Sequence, residues 1–126
     1  MEIKKNILIV GAGLMGNSIA LIFAKAGFRV SLVDVDQKAL HRAMGLIESG
    51  LGTLAEFQKI PREGIPTVLS RIKPSTVLAE VAKDADFVIE AVPEIPDVKK
   101  EVFSQLERMC PDDTVLASNT SEPPAP

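Results

Sequence analysis

Tryptophan and tyrosine are absent from this 126-residue chain, and five phenylalanines are its only aromatic residues. The sequence therefore offers little with which to stack on bases. It also lacks a basic cluster: the net charge is −3, with Lys and Arg scattered along the chain. That pattern argues against nucleic acid and against anionic membranes as partners. Cysteine occurs once, at Cys110. A single thiol permits no intramolecular disulfide and no cysteine-rich metal centre, a usage that suits a reducing cytosol. We expect a cytoplasmic protein, no bound metal, and an inert thiol at Cys110. Behind the charged start, the apolar run Ile7 to Val10 ends at Gly11. It is too short for a secretion signal or a membrane span.

What remains is ordinary globular composition, 46% hydrophobic and 25% charged, in a length suited to one domain. Ile7-Leu8-Ile9-Val10 is apolar throughout, as strands buried on both faces are. Leu14 to Ala26 predicts a helix with Ile19, Ile22, Phe23 and Ala26 on its inner stripe, closed by Gly27. Val30 to Val33 is a second strand ending at Asp34. Asp36 can cap a helix reaching about Gln58, with Leu40, Ala43, Ile47, Leu51 and Leu54 turned inward. Gly45, Gly50 and Gly52 work against it, at about 1 kcal/mol each relative to Ala. Pro61 to Pro66 predicts a turn, Thr67 to Arg71 a short helix, and Ile72-Lys73-Pro74 a strand that its proline confines to a terminus or an edge. A helical turn at Leu78 to Ala82, a strand at Asp86 to Val92, a helix from Pro96 to Met109 and a strand at Thr114 to Ala117 complete the series. Such alternation implies a mostly parallel α/β sheet with right-handed crossovers. The expected order is 3-2-1-4-5. Residues 1–121 form the domain, and the proline-rich residues 122–126 are a tail with no regular structure.

Gly11-Ala12-Gly13-Leu14-Met15-Gly16 reads G-x-G-x-x-G between a strand and a helix, the setting that makes the pattern a dinucleotide fingerprint. Gly11 permits the tight turn, Gly13 lets a diphosphate approach the backbone, and Gly16 lets helix and sheet pack closely. The helix start presents free N–H groups and partial positive charge to the phosphates. Asp34 ends the second strand, 18 residues past Gly16, where a carboxylate can accept hydrogen bonds from the adenosine ribose and repel a 2′-phosphate. Val35, Asp36 and Gln37 supply no cation beside it. The expected cofactor is NAD rather than NADP. This is a three-layer Rossmann domain on the reading of its residues.

Further stretches carry a more specific signal. Val88-Ile89-Glu90-Ala91-Val92-Pro93-Glu94, Val98-Lys99-Lys100-Glu101-Val102-Phe103 and Ala117-Ser118-Asn119-Thr120-Ser121, in this order after the glycine turn and Val33-Asp34, resemble the NAD-binding domain of L-3-hydroxyacyl-CoA dehydrogenases. The resemblance runs from about Ile7 to Ser121. It implies that Leu14 and Met15 lie against the cofactor at the diphosphate turn. It places Ala91, Val92, Pro93 and Glu94 along the nicotinamide-side ribose, with Lys99 reaching the same region. Asn119 would sit by the nicotinamide, and Ser121 would contact substrate or cofactor near the reacting carbon. Glu90 stands apart, because a carboxylate inside a buried strand calls for a structural, hydrogen-bonded role.

The family oxidises L-3-hydroxyacyl-CoA to 3-ketoacyl-CoA in fatty-acid metabolism. Its base is a histidine oriented by a glutamate, in a G-x-H-F-F-N-P context beyond the S-N-T-S segment, and a helical second domain closes the cleft. Neither follows here. The only histidine is His41, expected on the surface of the second helix. Serine and lysine positions that approach CoA in some members correspond to Gly50 and Phe57. The ending is that of a truncated gene product or a cloned piece, so the chain is expected to bind NAD without turnover. Acyl-CoA is the implied substrate of the full-length enzyme, and an uncovered last strand favours a homodimer. Two alternatives stay open. One is another NAD enzyme of the 3-hydroxyisobutyrate or 6-phosphogluconate type. The other is a non-enzymatic NAD-binding module.

Overall fold

A computed structural model describes residues 6–92 and 95–118. Five strands, β1 (Asn6–Val10), β2 (Arg29–Val33), β3 (Ile72–Ser75), β4 (Phe87–Glu90) and β5 (Val115–Ser118), form one parallel sheet in the order β3-β2-β1-β4-β5. Helices α1 (Leu14–Lys25), α2 (Gln37–Glu56), α3 (Ile65–Ser70), α4 (Leu78–Ala82) and α5 (Pro96–Met109) alternate with the strands. Side chains alternate across each strand. Ile7, Ile9, Val30, Leu32 and Ile72 face a core shared with Leu40, Ala43, Ile47 and Leu51 of α2. Leu8, Val10, Val33 and Val88 face a second core with Val81, Ala82 and Leu106. The result is the expected doubly wound α/β sheet, with helices on both faces. Burying a Leu or Ile fully contributes about 1.5–3 kcal/mol, which is why the continuous apolar strands occupy the middle of the sheet.

Local chemistry sets the element ends. Asp36 caps α2 by accepting from the Lys38 amide at 2.9 Å. Gly27, at φ +105°, ends α1 in a Schellman turn. There the Phe28 amide donates to the Phe23 carbonyl at 3.0 Å and the Gly27 amide to the Ala24 carbonyl at 3.1 Å. The two phenylalanine rings meet edge to face, 5.5 Å apart, across the same turn. Pro74 lies in β3, an edge strand, where a missing N–H is tolerated.

Three details depart from the sequence reading. The inner face of α1 is Gly16, Asn17, Ala20 and Ala24, whereas Ile22 is 62% exposed and Ala26 is on the surface. A helix pressed this close to a sheet admits only small side chains beneath it, and its larger ones are turned to the flanks. The segment after Pro61 is a 3-10 turn at Arg62–Gly64 that runs directly into α3, whose first turn contains Pro66. Proline's fixed φ suits a first helical turn. β4 ends at Glu90 rather than Val92. Gly50 also finds a reason: a Cβ there would come within 2.9 Å of Leu21 Cδ1, so α1 and α2 cross closely at that point. Nothing within 4 Å of Gly45 or Gly52 explains a glycine.

Candidate functional site

The glycine turn joins the carboxyl end of β1 to α1. Gly11 has φ +112°, and a Cβ there would lie 2.5 Å from the Ala91 carbonyl oxygen. The Gly11 amide donates to Val33 O at 2.7 Å, and the Ala91 amide donates to Val10 O at 2.8 Å. The turn is thus fastened to β2 on one side and to the end of β4 on the other. Gly16 packs α1 onto this turn so tightly that an added Cβ would fall 1.8 Å from Gly11 O. Gly13 is the opposite case. It caps α1 without a side chain, and a Cβ there would meet nothing within 4 Å. The space above Gly13 is open to a ligand. Helix geometry leaves the first amides of α1 without intrahelical acceptors and directs them into that space. Leu14 and Met15 flank it, 76% and 55% exposed.

Asp34 stands just beyond β2. Its Oδ2 accepts from the Ala12 amide at 3.0 Å and its Oδ1 from the Asp36 amide at 2.9 Å. The carboxylate therefore braces the glycine turn as well as facing its open side. Each oxygen keeps acceptor capacity beyond these single bonds, which hydroxyl groups of a ribose can fill. Ala12 and Asp34 bring turn and acidic side chain to one place, as the sequence predicts.

A cleft of about 620 Å³ opens beside them, between the strand ends and the helices α4 and α5. Asp34, Gly11 and Val92 border it, and Val35, Val77 and Val98 give it an apolar wall. These valines are absent from the sequence-based site. A signal was available at Val35, a large apolar residue directly after a strand end, which is 92% exposed. A volume of this size with few polar groups is ordinary for small-molecule and cofactor sites.

Across β1 from Asp34, Glu90 ends β4 fully buried. Its Oε2 accepts from the Val92 amide at 2.7 Å, and its Oε1 pairs with Lys99 Nζ at 3.4 Å. Glu90 thus has the structural, hydrogen-bonded position expected of it. Lys99 rises from the first turns of α5, and its side chain is directed to Glu90. Pro93, Glu94, Asn119 and Ser121 lie outside the described residues. His41 is exposed on α2 and borders a separate groove beside β3. Cys110 is half-buried rather than fully enclosed, and burial raises its thiol pKa above the ordinary value. Among the described residues, no helix is long and apolar enough to cross a membrane.

A parallel sheet whose central βα turn opens helix amides to an anion, beside an acidic strand end, defines a dinucleotide-binding domain of the dehydrogenase type. Comparison with known proteins narrows this. The model of the family described as "3-hydroxyacyl-CoA dehydrogenase, NAD binding domain" matches residues 6–125, and the chain belongs to that family. It is 43% identical over 124 residues to a probable 3-hydroxybutyryl-CoA dehydrogenase of Bacillus subtilis, covering 98% of this chain and 42% of that protein. A probable 3-hydroxyacyl-CoA dehydrogenase of Caenorhabditis elegans is 39% identical over 125 residues, covering 96% of this chain and 42% of the relative. Among solved structures, (S)-3-hydroxybutyryl-CoA dehydrogenase PaaH1 from Ralstonia eutropha superposes with a TM-score of 0.89 at 34% identity, over 94% of this chain and 42% of that one. The chain thus spans about two-fifths of the length of these relatives, corresponding to their NAD-binding domain. The cofactor of the family is NAD, and the glycine turn and Asp34 fit it.

Proposed function

We propose that this chain holds NAD between the α1 amides and Asp34, as the cofactor half of an enzyme that oxidises an L-3-hydroxyacyl-CoA to the 3-ketoacyl-CoA. The observation that carries the reading is the bracing of the turn by the Asp34 carboxylate, with open space above Gly13. Bound NAD supplies the hydride acceptor for the oxidation. The chain's own residues do the rest of the work on this side. The opening of α1 neutralises the diphosphate. Asp34 takes the adenosine ribose and disfavours a 2′-phosphate. Leu14 and Met15 lie against the diphosphate, and Ala91, Val92, Pro93, Glu94, Lys99, Asn119 and Ser121 serve the nicotinamide end.

The single histidine lies outside the cleft, so the chain by itself is proposed to bind without turnover. General-base assistance is worth about 10²- to 10⁴-fold, so a cleft that the histidine does not border is proposed to hold the cofactor without performing the oxidation. Residues 1–121 are proposed as the domain and residues 122–126 as a tail. A cytoplasmic location accompanies this reading. A homodimer is proposed through the outer edge of β5, which among the described residues pairs with β4 alone and carries Val115 at 49% exposure next to Phe87 at 45%.

Calorimetry with NAD and NADP at matched salt tests the cofactor assignment. NAD is expected to bind at least tenfold more tightly, and equal affinities would defeat it. NADH oxidation driven by acetoacetyl-CoA with the purified chain would contradict the proposal of binding without turnover.

A further inference from the structure

Glu90 is the only charged side chain among the described residues that is fully buried. A strand of this sheet would be cheaper to bury with valine, since an enclosed carboxylate must recover its lost hydration from partners. The partners here lie on both sides of one chain crossing. The Val92 amide, two residues on, donates to Oε2, and the Lys99 ammonium, in the first turns of α5, meets Oε1. Ala91, directly after β4, is tied by its own amide to β1 at Val10 O, 2.8 Å away. Val92, and Val98 in the first turn of α5, both border the cleft.

We propose that Glu90 is a positioning residue for the cofactor, fixing the Val92 backbone and the start of α5 at the cleft before NAD arrives. The inference rests on the NAD-binding reading above. Sheet order indicates which half of the dinucleotide depends on it. β2 and β4 flank β1, about 10 Å apart at ordinary strand spacing, so a ligand whose diphosphate lies over the β1–α1 turn extends to both. Asp34 at β2 serves the adenosine. The wall held by Glu90 serves the other nucleotide. One carboxylate does both jobs: it sets the backbone at Val92, and it holds the ammonium of Lys99, the residue after Val98 of the cleft wall, in a fixed direction.

Two variants separate positioning from stability. Glu90→Gln keeps the size and removes the charge that orients Lys99. Glu90→Leu also removes the acceptor for Val92 and leaves an apolar side chain that a buried strand accepts, so it serves if the glutamine variant does not fold. Calorimetry on the full chain, well below each melting temperature, is expected to show NAD binding at least fivefold weaker while AMP binding stays within twofold. In the cofactor-free Glu90→Leu protein, the Val92 amide is expected to exchange with solvent at least tenfold faster. Unchanged NAD affinity, or equal losses for NAD and AMP, would overturn the proposal by showing a merely structural role. An unchanged Val92 exchange rate would overturn it independently of any cofactor. Failure of the unaltered chain to bind NAD would instead sink the cofactor reading, and the Val92 exchange would still decide whether Glu90 holds the Val92 backbone.

Discussion

Alanine at Gly13 and alanine at Gly16 should have opposite consequences, although the two glycines belong to one turn. At Gly16 an added Cβ would lie 1.8 Å from Gly11 O and 2.9 Å from Gly11 C, both backbone atoms that cannot rotate away. To restore ordinary contact, α1 must retreat from β1 by more than about 1 Å, and overpacking of this kind costs about 1–3 kcal/mol. Alanine's better helix propensity returns about 1 kcal/mol at most, so the net effect is destabilising. For a chain of this length, a loss of 2 kcal/mol corresponds to a melting temperature lower by about 8 °C. At Gly13 the new methyl meets nothing, and φ −72° with ψ −165° is available to alanine. Stability should therefore stay within about 1 kcal/mol of the parent, the size of a helix-cap effect. The methyl does enter the space proposed for the diphosphate, and NAD affinity is expected to fall at least tenfold, equivalent to about 1.4 kcal/mol. Thermal melts and calorimetry on both variants give the comparison. A Gly13→Ala protein that binds NAD like the parent would refute the assignment of that space to the phosphates. A Gly16→Ala protein with an unchanged melting temperature would refute the close packing.

Asp34→Ala removes the acceptor for the Ala12 and Asp36 amides together with the proposed ribose partner. By calorimetry its NAD affinity should drop at least tenfold, and its preference over NADP should narrow; a preserved preference would contradict the role given to Asp34. Desolvation raises the Cys110 pKa, so the thiol stays protonated to higher pH in the folded chain than in the unfolded one. Its alkylation at pH 8 should be slower in native protein than in urea, and the thiol's contribution to stability should fall as pH rises past its unfolded value. Equal alkylation rates in the two states would contradict the burial. Replacing Val115 with lysine puts a charge on the outer, half-exposed strand and should shift sedimentation toward monomer at concentrations where the parent associates. A parent that stays monomeric at high concentration would oppose the homodimer.

Much of the fold can be read from the sequence because its strands are short apolar runs with clear punctuation. Gly11, Gly27 and Asp36 each mark an element end by a backbone requirement or a capping bond that acts locally. The inner face of α1 was harder to read. Hydrophobic periodicity favours Ile22 and Ala26, yet the closeness forced by Gly16 selects Ala20 and Ala24. That distance is a tertiary property, with no signature in a helical repeat. The site divides in the same way. The glycine turn and Asp34 are fixed by position relative to strand ends, whereas the apolar wall of Val35, Val77 and Val98 is assembled from two separate connections and the first turn of α5. Glu90 could be recognised as a carboxylate in need of partners, but Val92 and Lys99 could be named as those partners only after β4 and α5 had been placed.

On the proposed reading, amides at the opening of α1 hold the diphosphate of NAD while the carboxylate of Asp34 takes its adenosine ribose. Titrating isotope-labelled protein with NAD while following backbone amide resonances tests this most directly. Resonances of Ala12 to Gly16 and of Asp36 should move together and saturate at one affinity, with those on α2 beyond its first turn left in place. Saturating NAD that leaves the Ala12 to Gly16 amides where they were would contradict the account.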